Sequence, residues 1–437
     1  MRVLRWPSNL LRGLYLFAFL AAVGVVYAVG RLLLWMTVRE PELRLRRIAR
    51  WRGRVMRRSM SMLGATFIKM GQVLSSRPDL LPPETIAELE LLQDRLPGFG
   101  FRRVRRLVER ELGRPLDQIF SEIDREPVAA ASVAQVHRAR LVDGGVEVAV
   151  KVLRPSIRRQ VERDAAVLLF AARLLALHPR IRLSDPVGHL RRFVDAIVAQ
   201  TDLTGEADNY ERFAANFRGD REIRFPAVHR QHSSRSTLTM EFVRGTRFDS
   251  RDRSHDRELA ATIRRLMLEM CFDHGFVHAD LHPGNFFVRE DRKLVVFDAG
   301  MATLLGDDVF VQFVDFTRCL TTGTADDFVE HIKRFHSYIG EIDWNGLRTD
   351  IAGLLGGMRA KNTARLEFSK LFAGIFAIAR TYRVRPMPDL TLVMVALLTV
   401  QGIGKELDPD SNVFREAAAY LLPRIAQQAA RRAASAG

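Results

Sequence analysis

The segment HADLHPGN, residues 278–285, holds two histidines, an aspartate and an asparagine within eight positions. His278 and His282 are four residues apart, which is the spacing of a helical zinc pair. Pro283 and Gly284 would break a helix at this point, and no third cluster of ligands with zinc-like spacing follows in the sequence. The composition of the segment therefore favours phosphate chemistry over zinc binding.

Asp280 and Asn285 have the D-x-x-x-x-N spacing of a phosphoryl-transfer loop, in which the Asp orients the acceptor hydroxyl and the Asn holds a divalent ion. Such a site needs a second carboxylate in a D-x-G turn, and Asp298 begins one directly after the apolar run LVVF. An Asn and an Asp at opposite ends of one hairpin can converge on Mg²⁺, which prefers oxygen ligands. We predict Asp280 as a catalytic residue, together with Lys151 and Glu206 considered next, and Asn285 and Asp298 as metal ligands.

A nucleotide phosphate also needs a cation, and Lys151 lies in the β-branched stretch VEVAVKVLRP. Only seven of the 67 basic residues are lysines, so a lysine kept here suggests that a planar guanidinium would not serve. Glu206, in the helical stretch that follows, is the predicted ion-pair partner. The stretch TMEFVRG reads as a strand and a connector, in which the backbone of Glu241 and Val243 would contact an adenine.

The elements that must position these residues change character along the chain. Residues 126–156 read as two strands joined by an Asp143-Gly144-Gly145 turn, followed by helices at about 157–177 and 186–217. Beyond residue 255 the pattern is mainly helical, interrupted by a second hairpin, NFFVREDRKLVVFDAG. This order predicts an α+β, bilobal protein with a cleft between a small mixed lobe and a larger helical lobe.

The N-terminal stretch Leu14–Gly30 has no charge and continues into LLLWM, which gives an apolar run of about 23 positions around Arg31. An arginine-rich stretch follows from Arg39 to Arg58, and the positive-inside rule places it in the cytoplasm. We therefore predict a membrane anchor in a bacterial inner membrane. The alternative is a hydrophobic helix packed on the soluble domain.

The composition, 47% hydrophobic and 27% charged, is that of a folded protein. The net charge of +16 favours an anionic partner, for which we predict a membrane surface. Nucleic acid is not expected, because no basic patch interleaved with aromatic residues and no recognition motif is present. The two cysteines, Cys271 and Cys319, show neither a disulfide framework nor a zinc pattern, and we expect buried free thiols.

Taken in order, the motifs resemble those of the UbiB/AarF family of atypical protein-kinase-like proteins, which is linked to ubiquinone biosynthesis. The resemblance covers roughly residues 55–415, and its most specific signs are KMGQ at 69–72 and the alanine-rich AAAS at 129–132. The first matches the K-x-G-Q motif of a helical extension, and the second stands where other protein kinases have a glycine-rich loop. The stretches VAVK, HADLHPGN, FDAG and GIGKELDPD complete the pattern.

The resemblance implies a kinase-like fold that binds ATP with Mg²⁺, in which Lys151 and Glu206 pair. Nucleotide contacts would come from Ala130, Ala131, Ser132, Lys151, Glu241, Val243, Lys69 and Gln72. The predicted domains are an anchor at 1–36, the K-x-G-Q extension at 40–125, an N-lobe at 126–245, and a helical C-lobe with a basic tail at 246–437.

The implied function is that of a membrane-associated kinase-like ATPase supporting ubiquinone or other isoprenoid-lipid biosynthesis. Its partners would be isoprenoid or quinone-pathway lipids or enzymes; the sequence does not indicate an oligomeric state. The alternatives are a small-molecule phosphotransferase of the aminoglycoside or choline type and a nucleotide-dependent lipid-binding scaffold. One departure is Gln200-Thr201-Asp202, where the family has E-x-D, which leaves Asp202 to pair with Lys69.

Overall fold

The computed structural model describes most of the chain. The basic tail and the last two residues of GIGKELDPD lie outside the described residues. The described residues are 6–75, 81–92, 97–177, 186–248, 256–306, 308–321, 323–338, 340–359, 368–385, 387–408, 416, 419, 420 and 423.

The described residues form helices and short strands in an order typical of a mixed α+β protein. The helices are α1 Trp6–Thr37, α2 Pro41–Leu63, α3 Ala65–Ser75, α4 Pro83–Leu89, α5 Phe101–Leu112, α6 Leu116–Ile119, α7 Ile157–Leu175, α8 Pro186–Ala199, α9 Leu203–Asn216, α10 Arg257–Phe272, α11 Val309–Thr321, α12 Ala325–Phe335, α13 Trp344–Arg359, α14 Phe368–Thr381 and α15 Pro388–Leu407. The strands are β1 Phe120–Ile123, β2 Ala129–Ala130, β3 Ala134–Leu141, β4 Glu147–Leu153, β5 Ile223–Arg224, β6 Thr237–Glu241, β7 Thr246–Arg247, β8 Phe276–His278, β9 Phe286–Val288, β10 Leu294–Val296, β11 Ala302–Leu304, β12 Ser337–Tyr338 and β13 Val384–Arg385.

The chain divides into two compact units. The first comprises residues 1–207 and 228–242, and the second comprises residues 208–227 and 243–437. The domain boundaries expected from the sequence stay predictions.

The first unit is built on an antiparallel sheet in the order β1-β3-β4-β6, with β2 also paired to β3. The predicted strand-turn-strand is confirmed, and Gly144 and Gly145 have φ of 76° and 64° in its turn, a conformation that a side chain would oppose. Because side chains alternate across a strand, one face of β4 packs into a core with α5 and α6. The β4 residues of that core are Val148, Val150 and Val152.

The helix expected at about 186–217 is wrong as a single element, because the chain breaks into α8 and α9. The Asp202 carboxylate accepts a hydrogen bond from the backbone N–H of Thr204 at 3.2 Å. An aspartate in this position satisfies an amide that has no partner within the helix, which starts a new helix instead of continuing the old one.

The second unit has a four-stranded sheet in the order β5-β10-β9-β7, with β5 parallel to β10 and the other pairs antiparallel. The pair β9–β10 confirms the predicted second hairpin. A separate antiparallel pair, β8–β11, holds the start of the HADLHPGN segment. Aromatic rings fill the adjacent core: Phe213 stacks on Phe225 with ring centroids 4.9 Å apart and lies 4.6 Å from Phe276.

Helix α1 packs along only one side. Among the described residues, Leu11–Thr37 forms the one helical segment long and apolar enough to cross a membrane. Its remaining circumference is exposed, including Phe17, Val26 and Leu33. Its buried and half-buried positions recur at helical spacing, and we call them the α1 seam: Arg12, Gly13, Leu16, Phe19, Val23, Tyr27, Gly30 and Leu34.

The α1 seam runs antiparallel to α2 in the first unit. Near the start of α1, the Arg12 guanidinium donates to the Leu63 carbonyl at 3.4 Å, and near its end the Trp51 indole N–H donates to the Tyr27 carbonyl at 3.3 Å. Gly30 allows this approach, because a Cβ there would lie 2.3 Å from the Trp51 ring. Arg12 also pairs with the buried carboxylate of Asp164 on α7 at 2.8 Å.

Candidate functional site

Lys151 and Glu206 form a close ion pair in the first unit. The Lys151 ammonium lies 2.7 and 2.8 Å from the two carboxylate oxygens of Glu206, whose side chain is 5% exposed. Lys151 is in the middle of the sheet, opposite Val136 on β3 and Leu238 on β6. The predicted pair is therefore present, held by a central strand and the first turns of α9, and its catalytic role stays a prediction.

The alanine-rich segment is only partly a loop. Ala129 and Ala130 form β2, and the turn back to β3 is closed by a hydrogen bond from the Ala131 amide to the Ala134 carbonyl at 2.8 Å. Arg154, just after β4, donates to the Ala131 carbonyl at 3.0 Å. The turn is thus tied to the strand that carries Lys151, which limits how far it can move.

Ser132, at the tip of this turn, is fully buried and lines a cavity of about 260 Å³. The lining of the cavity is mixed: Arg103, Arg154 and Gln160 contribute polar groups, and Phe99 and Ile157 contribute apolar ones.

The KMGQ motif lies on α3 in the first unit. Lys69 is buried there and Gln72 is half-buried. Gly71 has a packing reason, because a Cβ would lie 2.1 Å from Leu92 and 2.8 Å from the Met60 sulfur. The glycine of the motif therefore permits the close approach of neighbouring segments, whereas the predicted roles of Lys69 and Gln72 in nucleotide binding stay predictions.

Asp202, which the sequence left as a partner for Lys69, accepts hydrogen bonds from other residues. Its carboxylate accepts from the Thr204 hydroxyl at 2.6 Å and from the Arg235 guanidinium at 2.8 Å. Burial opposes ionisation of Asp202, but these hydrogen bonds outweigh it and lower the pKa of the carboxyl. Its observed role is to start α9 and so to place Glu206.

Glu241 is the last residue of the edge strand β6, and Val243 comes two residues later in the chain. Glu241 ends β6 opposite Val148, and the next residue, Phe242, donates its backbone N–H to the Glu147 carbonyl at 3.4 Å. Val243 is half-buried and belongs to the second unit. The strand running into a connector that was predicted over TMEFVRG is confirmed, because β6 ends at Glu241 within it, and the adenine contacts stay a prediction.

In the second unit, His278 holds the HADLHPGN segment in place. Its Nε2 lies 3.2 Å from the Phe297 carbonyl, and its Nδ1 accepts the Asp280 backbone N–H at 3.2 Å. Because Nδ1 accepts, the proton must lie on Nε2. Burial lowers the pKa of His278, so the ring is neutral. Its two hydrogen bonds hold the backbone of the segment in position.

His282 and Asn285 shape the rest of the segment. The His282 Nδ1 accepts the Gly284 backbone N–H at 3.1 Å, which caps a short 3-10 turn at Pro283–Asn285. The Asn285 side chain is buried and donates its amide N–H to the Asp280 carbonyl at 2.8 Å. With its nitrogen held this way, the Asn285 side-chain oxygen points to the other side of the amide, where it can accept or ligate.

Asp298 lies in a strained turn that other residues support. Its φ is 58°, in the left-handed region that non-glycine residues rarely adopt. Its backbone N–H donates to the Tyr210 hydroxyl at 2.8 Å, and the Asn209 side chain donates to the Ala299 carbonyl at 2.8 Å. Strained residues held by their surroundings cluster at functional sites, and this turn fits that description.

Backbone hydrogen bonds join this turn to the HADLHPGN segment within the second unit. The Phe297 amide donates to the Asn285 carbonyl at 2.8 Å, and the Ala279 amide donates to the Met301 carbonyl at 2.8 Å. Asp280, Asn285 and Asp298 are therefore carried by two segments that are fixed to each other. Their side chains offer carboxylate and amide oxygens, the donor set that suits Mg²⁺.

The sequence did not single out Tyr210 and Asn209. Both lie on α9, three and four residues after Glu206, in the stretch LTGEADNYERF. Residues three and four apart lie on the same side of a helix as Glu206. Two more polar side chains at these positions are the signal from which a further role of α9 could be predicted.

Protein-family comparisons match two parts of the chain. Residues 91–331 match the ABC1 atypical kinase-like domain, and residues 352–412 match the UbiB helical domain. A Probable protein kinase UbiB of Tolumonas auensis is 30% identical over 425 residues, which cover 92% of this chain and 75% of that protein. An uncharacterized protein of Synechocystis sp. is 32% identical over 386 residues, 87% of this chain, and the chain spans 65% of its length.

A solved structure is also similar. The Rv3197–erythromycin complex from Mycobacterium tuberculosis matches with a TM-score of 0.53 at 20% identity, over 80% of this chain and 90% of that one. At this identity the match shows the fold, which is the mixed α+β kinase-like fold expected from the sequence. Together with the matched domains, these similarities place the chain in the UbiB family of ABC1 atypical kinase-like proteins.

Proposed function

We propose that the protein is a membrane-associated atypical kinase or ATPase that binds ATP with Mg²⁺. The observation that carries the proposal is the Lys151–Glu206 ion pair at 2.7 Å, in which a half-buried lysine on a central strand meets a buried carboxylate. An ammonium held by one carboxylate can also bind phosphate oxygens, which is the role of this pair in kinases.

Each residue has a proposed role that follows from its chemistry. Lys151 binds nucleotide phosphates while Glu206 holds it in place, and Asp280 accepts the proton of an attacking hydroxyl or water. Asn285 and Asp298 would hold Mg²⁺, which neutralises charge on the phosphate oxygens. The strained turn at Asp298 is supported by the Tyr210 hydroxyl, which fixes the backbone that carries the carboxylate.

The test is ATP turnover by the full chain with anionic liposomes, comparing wild type with Asp298→Asn. The substitution removes a carboxylate ligand but keeps the size of the side chain, and loss of turnover by about 100-fold is expected. The matched control is Asp291→Asn, which changes a carboxylate in the turn of the same β9–β10 hairpin. Equal turnover in all three proteins would refute the metal assignment.

Nucleotide binding measured alongside turnover separates the proposal from a scaffold role. A scaffold would bind ATP in wild type and hydrolyse it no faster than the Asp298→Asn variant does. Turnover that rises only with an added aminoglycoside or choline would instead identify a small-molecule phosphotransferase.

We propose that the activity supports ubiquinone or another isoprenoid-lipid pathway. The support is the similarity to proteins named UbiB and the match to the UbiB helical domain. Quinone content in lipid extracts from a strain lacking the protein tests it. Restoration by wild type and not by Asp298→Asn is expected, and unchanged quinone content in the deletion strain would contradict the pathway.

We propose that α1 attaches the protein to the cytoplasmic face of a bacterial inner membrane, lying along the surface while it stays packed on α2. The support is the exposed apolar face of α1 and its antiparallel contact with α2, which carries exposed Arg46, Arg50 and Arg58. If α1 crossed the bilayer in this arrangement, α2 would bring these charges into hydrocarbon. On the surface, the same arginines would meet anionic headgroups.

A reporter fused to the N-terminus distinguishes the two arrangements. A helix that lies on the surface keeps the reporter in the cytoplasm, and a helix that spans the membrane exports it. Carbonate-resistant membrane binding with a cytoplasmic reporter is expected. An exported, active periplasmic reporter would show that α1 leaves α2 and spans.

A further inference from the structure

A cluster of three different ligand types lies in the second unit, outside the kinase-like motifs. Asp315 and Cys319 are four residues apart on α11, so they share one face of that helix, and His331 comes from α12. One ligand atom from each residue lies within 4.8 Å of the other two. Cys319 and His331 are buried, so the cluster is not a patch of solvated surface groups.

The Asp315 carboxylate is oriented by two neighbours. One oxygen accepts hydrogen bonds from the Arg318 guanidinium at 3.1 and 3.2 Å, and the other lies 2.8 Å from the His331 Nδ1. Arg318 also donates to Asp327 at 3.2 Å. One oxygen is thus held by a cation while the second faces the imidazole, as outer hydrogen bonds orient the ligands of known metal sites.

The Cys319 thiol is on the same face. It donates to the Asp327 carbonyl at 3.5 Å, a weak bond that a metal can replace. Burial raises the pKa of this thiol to about 11, so without a metal it is protonated at neutral pH. A bound cation of the right kind would displace that proton.

The second nitrogen of His331 is available to take the ring proton when Nδ1 binds a metal. Nε2 is buried and has no hydrogen-bond partner among the described residues, and neither has the buried Nδ1 of His336. The two rings have centroids 5.2 Å apart. An imidazole that ligates through Nδ1 carries its proton on Nε2, and no described group accepts or donates at that nitrogen to oppose the change.

We propose that a divalent ion of the zinc class binds here through the Asp315 carboxylate, the Cys319 sulfur and the His331 Nδ1. Mixed sulfur, nitrogen and oxygen ligands suit zinc and its near neighbours, whereas Mg²⁺ and Ca²⁺ take oxygen ligands. On binding, the thiol proton leaves to solvent and the Nδ1 proton of His331 is replaced by one on Nε2. Three protein ligands leave a fourth position for water.

The ion would cross-link α11 and α12, because two of its ligands come from α11 and the third comes from α12. These helices are joined by a short connection that already has a capping box, in which the Thr324 hydroxyl and the Asp327 carboxylate bond each other's backbone amides. This zinc-class site is distinct from the proposed Mg²⁺ site, because it has a sulfur ligand and uses none of the same residues.

The test is a cobalt titration of the full chain, purified in detergent and stripped with a chelator. Four-coordinate Co²⁺ bound by thiolate gives a sulfur-to-cobalt charge-transfer band, which the oxygen ligands of the Mg²⁺ site cannot give. We expect this band to saturate at one equivalent and to disappear when Zn²⁺ is added. A tenfold excess of Mg²⁺ should leave it unchanged.

Cys319→Ser should abolish the band and weaken metal binding by about 100-fold or more. The matched control is Cys271→Ser, which removes the other buried thiol, on α10, and should keep the band. If Cys319→Ser does not fold, the wild-type titration alone decides. No charge-transfer band in folded wild type, or an equal band in Cys319→Ser, would overturn the proposal and leave a buried Asp315–His331 pair that only joins two helices.

Discussion

Helices α1 and α15 are both long and apolar, but they have opposite surroundings. In α15, residues such as Val393, Leu397 and Val400 are fully buried, and the helix packs against α10. In α1, comparable residues such as Phe17 and Leu33 are 75% and 52% exposed. A run of apolar residues therefore predicts that a helix will be removed from water, but not whether protein or lipid covers it.

The difference has its origin in the neighbours. Helix α15 is surrounded by other helices of its unit, whereas the α1 seam touches α2 and α7 along one stripe. An exposed face of this size on a soluble protein marks an interaction site. One helix therefore belongs to the core, and the other presents the exposed apolar face that we propose lies against the membrane.

The largest contrast should come from a charge placed in each helix. Leu397→Asp puts a carboxylate in the core, which we expect to cost about 5 kcal/mol or more and to prevent folding. Leu33→Asp should leave the fold intact and weaken membrane attachment. Circular dichroism and membrane sedimentation measure the two effects. A folded, membrane-bound Leu397→Asp protein would contradict the assignment of α15 to the core.

The second-largest effect is expected from the ion pair that joins α1 to α7. Arg12→Leu leaves the Asp164 carboxylate, whose side chain is 1% exposed, without its partner on α1. A loss of about 3 kcal/mol in unfolding free energy is expected, because an uncompensated charge remains buried. Arg31→Leu, an exposed arginine of the same helix, should change stability by less than about 0.5 kcal/mol. Urea denaturation in detergent measures both, and equal effects would argue against the seam.

A pair of glycines in α1 tests how closely the seam packs. Gly30→Ala forces a Cβ into the Trp51 ring and should cost about 1–3 kcal/mol. At Gly24 a Cβ meets nothing within 4 Å, so Gly24→Ala should stabilise the helix by about 0.5–1 kcal/mol. Trp51 fluorescence, which should shift only in Gly30→Ala, reports the contact. No difference between the variants would show that α1 is not held against α2.

The smallest effect should come from single arginines of α2. Arg46→Gln removes one exposed charge beside the proposed membrane face, which is worth about 1 kcal/mol, or about fivefold in binding to anionic vesicles. Arg102→Gln, an exposed arginine on α5, is the control and should change binding little. Added salt should reduce the difference, since these charges are screened. Similar losses in both variants would mean that the whole basic surface binds, not α2.

Much of the candidate site could be predicted from the sequence because its residues lie in short local motifs. The spacing of Asp280 and Asn285, and the D-x-G turn after LVVF, are set by one hairpin, and that hairpin is present. The Lys151–Glu206 pair joins residues 55 positions apart, and it was predicted because a phosphate-binding lysine on a strand needs a glutamate from the helical stretch that follows. The supporting roles of Tyr210 and Asn209 were missed, because such bonds depend on how α9 lies against a distant turn.

The break between α8 and α9 shows another limit of periodicity. The apolar pattern continues across Gln200-Thr201-Asp202, so a single helix was predicted. The structure ends one helix there, because the Asp202 side chain caps the next and the Leu203 amide donates to the Arg235 carbonyl at 2.9 Å. A contact with a residue 32 positions away decided the local structure.

The sequence by itself determined the family, the strand and hairpin pattern, the apolar N-terminal helix and the residue types of the proposed phosphate site, since all of these depend on composition and short spacings. Only the tertiary structure decided which apolar helix is buried and which is exposed. It also brought Asp315 and Cys319 of one helix to His331 of the next, a grouping that no linear motif contains. Burial and convergence depend on packing between distant segments, and hydropathy and local spacing do not encode that packing.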